Sequence, residues 1–326
     1  MGPRGAAIAG MLAIAVVFSA TMPAAEVVTF LGMCEPSAAV GLPDGDFDRF
    51  VVANDEDNRL RVYSQGGGVP AAEVDLDAII EPRPTRAADL EAAAWLGDRA
   101  YWIGSHSRNS SGKLREDRWQ LFATRLGGAE GEVVLDPRAS IHTLLSAIGA
   151  ASLELEAAIR ADRSEDEALA PDNGGFNIEG MAATADGSGL LIGLRSPLLE
   201  NRAIIVPLAN PAEALAGAAP DLGELMLLDL DGRGIRSFDH SPTRAEFIVV
   251  AGPIRGGPFA IYRWSGASDD APILLEQATA SLLELDDFTP EAMIISADGN
   301  TALLLSDDGD RCPDPQEFRG TVISLR

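Results

Sequence analysis

Residues 179–187 read Glu-Gly-Met-Ala-Ala-Thr-Ala-Asp-Gly, and residues 291–299 read Glu-Ala-Met-Ile-Ile-Ser-Ala-Asp-Gly. Each stretch starts with a carboxylate, continues through small or apolar residues, and ends in an Asp-Gly turn. A short apolar run bounded by turn residues predicts a β-strand. A second apolar run follows each turn, at residues 190–193 and 301–305, so the same strand-turn-strand unit occurs at both places.

The unit occurs five times along the chain. Its opening strands are predicted at residues 37–42, 91–96, 179–184, 236–239 and 291–296. The first residues of these strands are 54, 88, 57 and 55 positions apart, and a period near 50 residues indicates a propeller in which each copy forms one blade. The predicted fold is therefore all-β, a five-bladed β-propeller.

The one long interval, between the second and third copies, contains a helical pattern. Within residues 139–171, apolar residues recur at a spacing of three or four, and Ser140 is a candidate N-cap. They are Ile141, Leu144, Leu145, Ile148, Leu155 and Ile159. This pattern predicts a helical insertion on blade two within a single propeller domain, residues 26–326.

The two ends of the propeller are predicted to meet in the last blade. The fifth copy has three strands, whereas an additional strand, residues 26–31, precedes the first copy. Adding that strand to the last blade closes the ring and leaves no open sheet edge at the seam. Cys34 and Cys312, the only cysteines, then lie near the seam and can form a disulfide, or remain two buried thiols.

The N-terminus has the pattern of a secretory signal peptide. Arg4 is followed by an uncharged apolar stretch to Ala20 and then by small residues up to Ala25. We expect residues 1–25 to direct export to the periplasm or the medium. An uncleaved membrane anchor is the alternative, because Met22 does not suit a cleavage site after Ala24.

The charge balance limits the possible partners. The chain has 25 basic and 50 acidic residues, a net charge of −25, and Lys113 is its only lysine. Such a surface repels phosphate backbones and anionic lipids, so nucleic-acid and membrane-surface binding are not expected. A small anionic molecule or an extracytoplasmic protein is the expected partner, and a closed ring without sheet edges predicts a monomer.

The first residues of the opening strands are the main candidates for a site. The opening strand of each blade is expected to surround the central channel, which brings Ser37, Glu91, Glu179, Arg236 and Glu291 to one mouth. Glu35, Asp89, Asn177 and Thr289 precede four of them by two positions. We predict that Glu91, Glu179 and Glu291 bind Ca²⁺ or Mg²⁺, because both ions prefer oxygen ligands. The alternative is a ring of structural ion pairs.

The loops after the second strands supply further candidates. Glu56, His106, Arg195 and Asp308 occupy equivalent places in these loops. His106 is predicted as the general acid or base, together with Glu179 and Arg236, because an unperturbed imidazole titrates near neutrality. Arg195 and Arg108 are predicted to bind a phosphate or carboxylate, and Glu56 and Asp308 to contact the ligand. A purely structural role for the single histidine of this loop is the alternative.

Several motifs together resemble a bacterial family classed as a domain of unknown function. They include Gly-Met-Cys-Glu-Pro-Ser-Ala-Ala-Val (32–40), Asn-Ile-Glu-Gly (177–180) and Gly-Arg-Gly-Ile-Arg-Ser (232–237). This resemblance covers nearly all residues after the signal peptide and implies the propeller fold without an activity. More distantly, the openings of the repeats are similar to phytase-like and esterase-like propellers, some of which use calcium.

Two functions follow from these patterns. The first is a metal-assisted hydrolase of a small ester, lactone or phosphoester at the channel mouth. The second is a non-catalytic propeller whose charged mouth binds a ligand or a protein, since the fold alone does not select a function.

Overall fold

The computed structural model describes residues 2, 26–42, 47–80, 86–127, 132–135 and 141–326. The apolar part of the predicted signal peptide and the predicted cap Ser140 lie outside these residues. Within them, none of the helices has the length and apolar character needed to cross a membrane.

The strands form five antiparallel sheets, which confirms the predicted all-β, five-bladed fold. Strand β1 is Val27–Leu31. Blade one contains β2 (Pro36–Gly41), β3 (Arg49–Asn54), β4 (Arg59–Ser64) and β5 (Ala72–Asp75). Blade two contains β6 (Leu90–Leu96), β7 (Arg99–Gly104), β8 (Leu121–Gly127) and β9 (Glu132–Leu135). Blade three contains β10 (Asn177–Ala183), β11 (Leu190–Ser196), β12 (Ala203–Leu208) and β13 (Met226–Leu228). Blade four contains β14 (Gly234–Ser241), β15 (Glu246–Gly252), β16 (Ala260–Trp264) and β17 (Ile273–Leu274). Blade five contains β18 (Pro290–Ile295), β19 (Thr301–Ser306) and β20 (Glu317–Ser324), with β1 as its outer strand.

The predicted opening strands are the innermost strands of the ring. Strand β2 contacts β6, β6 contacts β10, β10 contacts β14, β14 contacts β18, and β18 contacts β2 again. The second strand of each blade is a nearly continuous apolar run, such as Phe247–Ala251, because neighbouring blades cover both faces of its sheet. The hydrophobic core accordingly lies between the blades.

The N-terminal strand closes the ring as predicted. Strand β1 pairs antiparallel with β20, from Val27 opposite Thr321 to Leu31 opposite Glu317. Phe30 is fully buried at this seam and stacks on Phe318 with ring centroids 4.9 Å apart. The predicted disulfide between Cys34 and Cys312 is present, with Cα atoms 5.5 Å apart.

The helical insertion is present on blade two, where α1 (Leu144–Ala151) and α2 (Leu153–Ile159) follow β9. The 3-10 helices are Glu116–Arg118, Glu167–Leu169, Pro171–Asn173 and Gly309–Arg311. Two helices were not predicted, α3 (Pro211–Leu215) and α4 (Glu276–Leu283). Helix α4 starts at Glu276, in a run rich in helix formers, and it buries Ala278 and Leu282 between blades four and five.

Candidate functional site: the bulged channel mouth

A β-bulge lies at the start of every inner strand. In blade two, Leu90 pairs with Gly104 and Ala92 pairs with Ile103, so Glu91 has no partner on β7. The corresponding unpaired residues of the other blades are Ser37, Glu179, Arg236 and Glu291. A bulge disrupts the ladder locally and re-aims a side chain. The five residues that the sequence places at the channel mouth are thus the five bulged residues.

Arg236 lies at the centre of the basic side of this mouth. Blade four lies between blades three and five, so Arg236 contacts Glu179 on one side, with Nη1 2.9 Å from Oε2, and Glu291 on the other. Arg195 lies on blade three, as Glu179 does, and its Nη1 is 3.0 Å from Glu179 Oε1. Asn177 donates to the same oxygen at 2.7 Å. Burial lowers the pKa of Arg236, and the charge of Glu179 opposes that shift.

Glu91 belongs to the acidic side of the mouth. Carboxylate oxygens of Asp55, Asp89 and Glu91 lie within 4.8 Å of one another, and so do those of Glu35, Asp55 and Glu56. Asp55 is therefore common to two carboxylate groups. Of the predicted metal ligands, Glu91 alone is in these groups. Glu179 and Glu291 instead form ion pairs with Arg236.

The acidic side holds negative charge that the protein compensates only in part. Arg118 pairs with Asp89 at 2.8 Å, whereas Asp55 Oδ1 is buried without a hydrogen-bond partner among the described residues. Burial, and then the neighbouring carboxylates, raise the pKa of Asp55 and Glu91 well above their usual values. The same causes raise the pKa of Glu35 to about 7. Without a cation, the group therefore retains protons near neutral pH.

Asp307, which follows β19 of blade five, interacts electrostatically with both sides of the mouth. Asp307 accepts a hydrogen bond from the Gly309 N–H at 2.8 Å, and its charge raises the pKa of Glu35. A Cβ at position 309 would collide with the Glu35 carboxylate, so the glycine permits its present close approach. Asp307 also lies near Arg236 and opposes the lowering of its pKa.

A cavity of about 780 Å³ opens beside the arginines, above blades four and five. Arg195, Arg236 and Asp307 line it together with Phe259, whose ring centroid lies 5.9 Å from the Arg236 guanidinium carbon. Its volume is within the usual range for small-molecule sites.

Two predicted site residues, His106 and Arg108, have other roles. His106 is 2% exposed, and its Nδ1 lies 2.9 Å from the Gly104 carbonyl oxygen. Burial lowers its pKa to about 4, so the imidazole is neutral at physiological pH and enclosed by protein. Arg108 donates to the carbonyl oxygens of Gly112, Ile159, Arg160 and Arg163, and thereby fastens the helical insertion to blade two. These contacts do not fit the predicted roles of His106 as general acid or base and of Arg108 as an anion ligand.

Asp308 lines the cavity, but its carboxylate is engaged within the protein. It pairs with Arg319, with Nη2 2.6 Å from Oδ1, and accepts a hydrogen bond from Ser306 at 3.0 Å. Glu56 and Arg195 also lie at the mouth, Glu56 in the acidic group and Arg195 at the cavity, although Arg195 is part of β11 and not of the loop that follows it. Asp55 was not singled out from the sequence, although it directly follows β3 in an acidic loop.

Fold and site define a five-bladed β-propeller with acidic and arginine-bearing sides at one channel mouth. Residues 151–297 match the profile of a protein family of unknown function, DUF3616. Over these residues the match confirms the resemblance seen in the sequence. They include the motifs at 177–180 and 232–237, whereas the motif at 32–40 lies outside them.

The chain matches no curated protein. Among solved structures it is similar to glutaminyl cyclase from Myxococcus xanthus, at 9% identity and a TM-score of 0.46, over 93% of this chain and 98% of that one. It is also similar to hydrazine synthase from Kuenenia stuttgartiensis, at 13% identity and a TM-score of 0.39, over 84% of this chain and 65% of that one. At this similarity neither structure informs the chemistry of the mouth.

Proposed function

We propose that the protein is an exported hydrolase that depends on a divalent cation and acts on a small ester, lactone or phosphoester at the bulged mouth. The observation that carries this proposal is the grouping of Asp55, Asp89 and Glu91, in which a buried oxygen of Asp55 has no partner among the described residues. A buried carboxylate without a compensating partner is costly, and a cation removes that cost.

The spacing of the carboxylates suits such an ion. Oxygens bound to one Ca²⁺ at 2.3–2.6 Å lie no more than about 5 Å apart, and those of Asp55, Asp89 and Glu91 lie within 4.8 Å. Asp89 is oriented by Arg118, which supports its use as a ligand. When bound, Ca²⁺ or Mg²⁺ would polarise the scissile carbonyl or phosphoryl group and favour ionisation of a bound water.

Glu35 is the general base in this proposal. It adjoins Asp55, and a cation there would lower the pKa that burial and the neighbouring carboxylates raise, so that Glu35 is ionised and able to accept a proton. It takes the role that the sequence suggested for His106, because the imidazole is enclosed by protein.

Arg195 and Arg236 are proposed to hold the anionic part of the substrate. Both line the cavity, and the Nε atoms of both are buried without a hydrogen-bond partner among the residues described. A planar guanidinium presents donors that match a carboxylate or phosphate. The disulfide between Cys34 and Cys312 supports export, since such bonds persist in oxidising compartments.

Thermal unfolding with EDTA, Ca²⁺ or Mg²⁺ tests the cation site. A free cation at about 100 times its dissociation constant should stabilise the protein by about 2.7 kcal/mol. Asp55→Asn should remove this shift. Glu213→Gln, which removes the same charge from the exposed surface of α3, should retain it. An unchanged midpoint of the wild-type protein with both cations would exclude the cation site.

Hydrolysis of ester, lactone and phosphoester panels with and without the cation tests catalysis. Glu35→Gln should abolish turnover while the cation still shifts the unfolding midpoint. Stabilisation by the cation without turnover of any panel member would favour the second function, a non-catalytic propeller that binds its ligand through the cation.

A further inference from the structure

The opposite mouth of the channel contains a second cavity, of about 380 Å³. It lies between the C-terminal ends of four inner strands, β2, β6, β14 and β18, whereas the bulges lie at their N-terminal starts. Most of its lining is apolar. The apolar side chains are those of Ala39, Val40, Leu42, Ala93, Ala94, Trp95, Pro242, Ile294, Ile295 and Ala297.

Asp239 is the only titratable residue that lines this cavity within the part of the chain that the structure describes. Its Oδ1 accepts a hydrogen bond from the His240 N–H at 2.8 Å. Among the residues that the structure covers, no arginine, lysine or histidine forms an ion pair with it. The surrounding protein raises its pKa to about 7, and the backbone hydrogen bond only partly opposes this shift.

Trp95 contributes the aromatic part of the cavity. Its indole N–H donates to the Gly41 carbonyl oxygen at 2.8 Å, so the polar atom of the ring is already satisfied within the fold. A tryptophan ring attracts organic cations through its π face, and the interaction strengthens when water is excluded. The cavity thus combines one unpaired carboxylate, an aromatic ring and aliphatic walls.

We propose that this second mouth binds a small organic ammonium ion, with its nitrogen at Asp239 and its hydrocarbon part between Trp95 and Ile295. A carboxylate or phosphate does not suit the cavity, because the only side-chain donor among its described lining residues, the Trp95 indole N–H, is already bonded to Gly41, and Asp239 would repel the anion. A hydrated metal ion does not suit it either, because the described lining residues offer a single side-chain oxygen ligand group, the Asp239 carboxylate. The site is separate from the bulged mouth and does not depend on the function proposed there.

Titration calorimetry with three alkylammonium probes tests this site. Methylammonium, tetramethylammonium and cyclohexylammonium are titrated into the wild-type protein at about pH 8, where Asp239 is largely ionised. At least one probe should bind with a millimolar or lower dissociation constant. Cyclohexanol, which has the ring without the charge, should bind at least tenfold more weakly than cyclohexylammonium.

Two variants and one control locate the binding. Asp239→Asn should weaken ammonium binding at least tenfold and leave cyclohexanol unchanged. Trp95→Leu should weaken the ammonium more than the alcohol. Glu213→Gln, which removes a remote exposed carboxylate, should bind as the wild type does. No binding of any ammonium probe to the wild type, equal binding of ammonium and alcohol, or full binding by folded Asp239→Asn would each overturn the proposal.

Discussion

Replacing Asp239 by asparagine should stabilise the protein at alkaline pH and have a much smaller effect in acid. The folded-state pKa of this carboxyl is about 7, against its ordinary 3.8, so the folded protein binds the proton more tightly than the unfolded chain does. The stabilisation that this proton confers is complete below pH 3.8 and is lost as the pH rises through 7. At 1.36 kcal/mol per pKa unit, the full loss is about 4 kcal/mol, of which roughly 2.5 kcal/mol falls between pH 5 and pH 8. Asparagine stays neutral and keeps an acceptor for the His240 N–H, so it avoids this loss.

Urea unfolding of the oxidised wild type and variant, at pH 5 and at pH 8, measures the effect. The difference in unfolding free energy should move in favour of Asp239→Asn by roughly 2–3 kcal/mol between these pH values. The carboxylates of the bulged mouth titrate in both proteins, and their contributions cancel because they lie at the other end of the channel. Asp186→Asn is a matched control, because hydrogen bonds lower the pKa of Asp186 to about 2. The effect of this substitution on the unfolding free energy should therefore be the same at pH 5 and at pH 8. Parallel pH profiles for wild type and Asp239→Asn would refute the reasoning.

Three further changes test the seam and the mouth, each by urea unfolding at neutral pH. Joint replacement of Cys34 and Cys312 by serine should cost about 5 kcal/mol in the loop-entropy model, because the disulfide spans 278 residues; a loss below 1 kcal/mol would contradict it. Phe30→Ala should cost about 3–5 kcal/mol, because the ring is fully buried at the seam, and Val27→Ala on the exposed part of the same strand is its control. Arg236→Gln should cost about 3–5 kcal/mol, because Glu179 is left buried with one fewer cation, and adding Glu179→Gln should recover part of that loss. Recovery by the second substitution is the decisive result, since simple loss of packing would make the two effects add.

The period and the small residues of the inner strands were sufficient to predict the blades. Aligning the five copies also identified the bulged residues, because the first residue of each copy is the one without a partner on the neighbouring strand. The loop residues could not be placed in this way. His106 and Arg108 follow β7 and Arg195 lies near the end of β11, but Arg108 binds carbonyl groups of the insertion, and nothing in the sequence shows where the insertion packs. Helix α4 was not predicted, because it has only eight residues and comes almost directly after β17, a strand of only two residues.

The order of blades around the ring explains why the predicted metal ligands separate into two sides. Arg236, on blade four, contacts the bulged residues of blades three and five, so Glu179 and Glu291 are neutralised together. Glu91, on blade two, is separated from Arg236 by a whole blade and has the uncharged Ser37 as its other neighbour. The Ser37 hydroxyl donates to the Leu90 carbonyl oxygen, and a carboxylate from the next loop, Asp55, lies beside Glu91 instead of a cation. One arginine on a ring of five therefore compensates only its two neighbours, and the excess negative charge collects on the far side, where the proposed cation would bind.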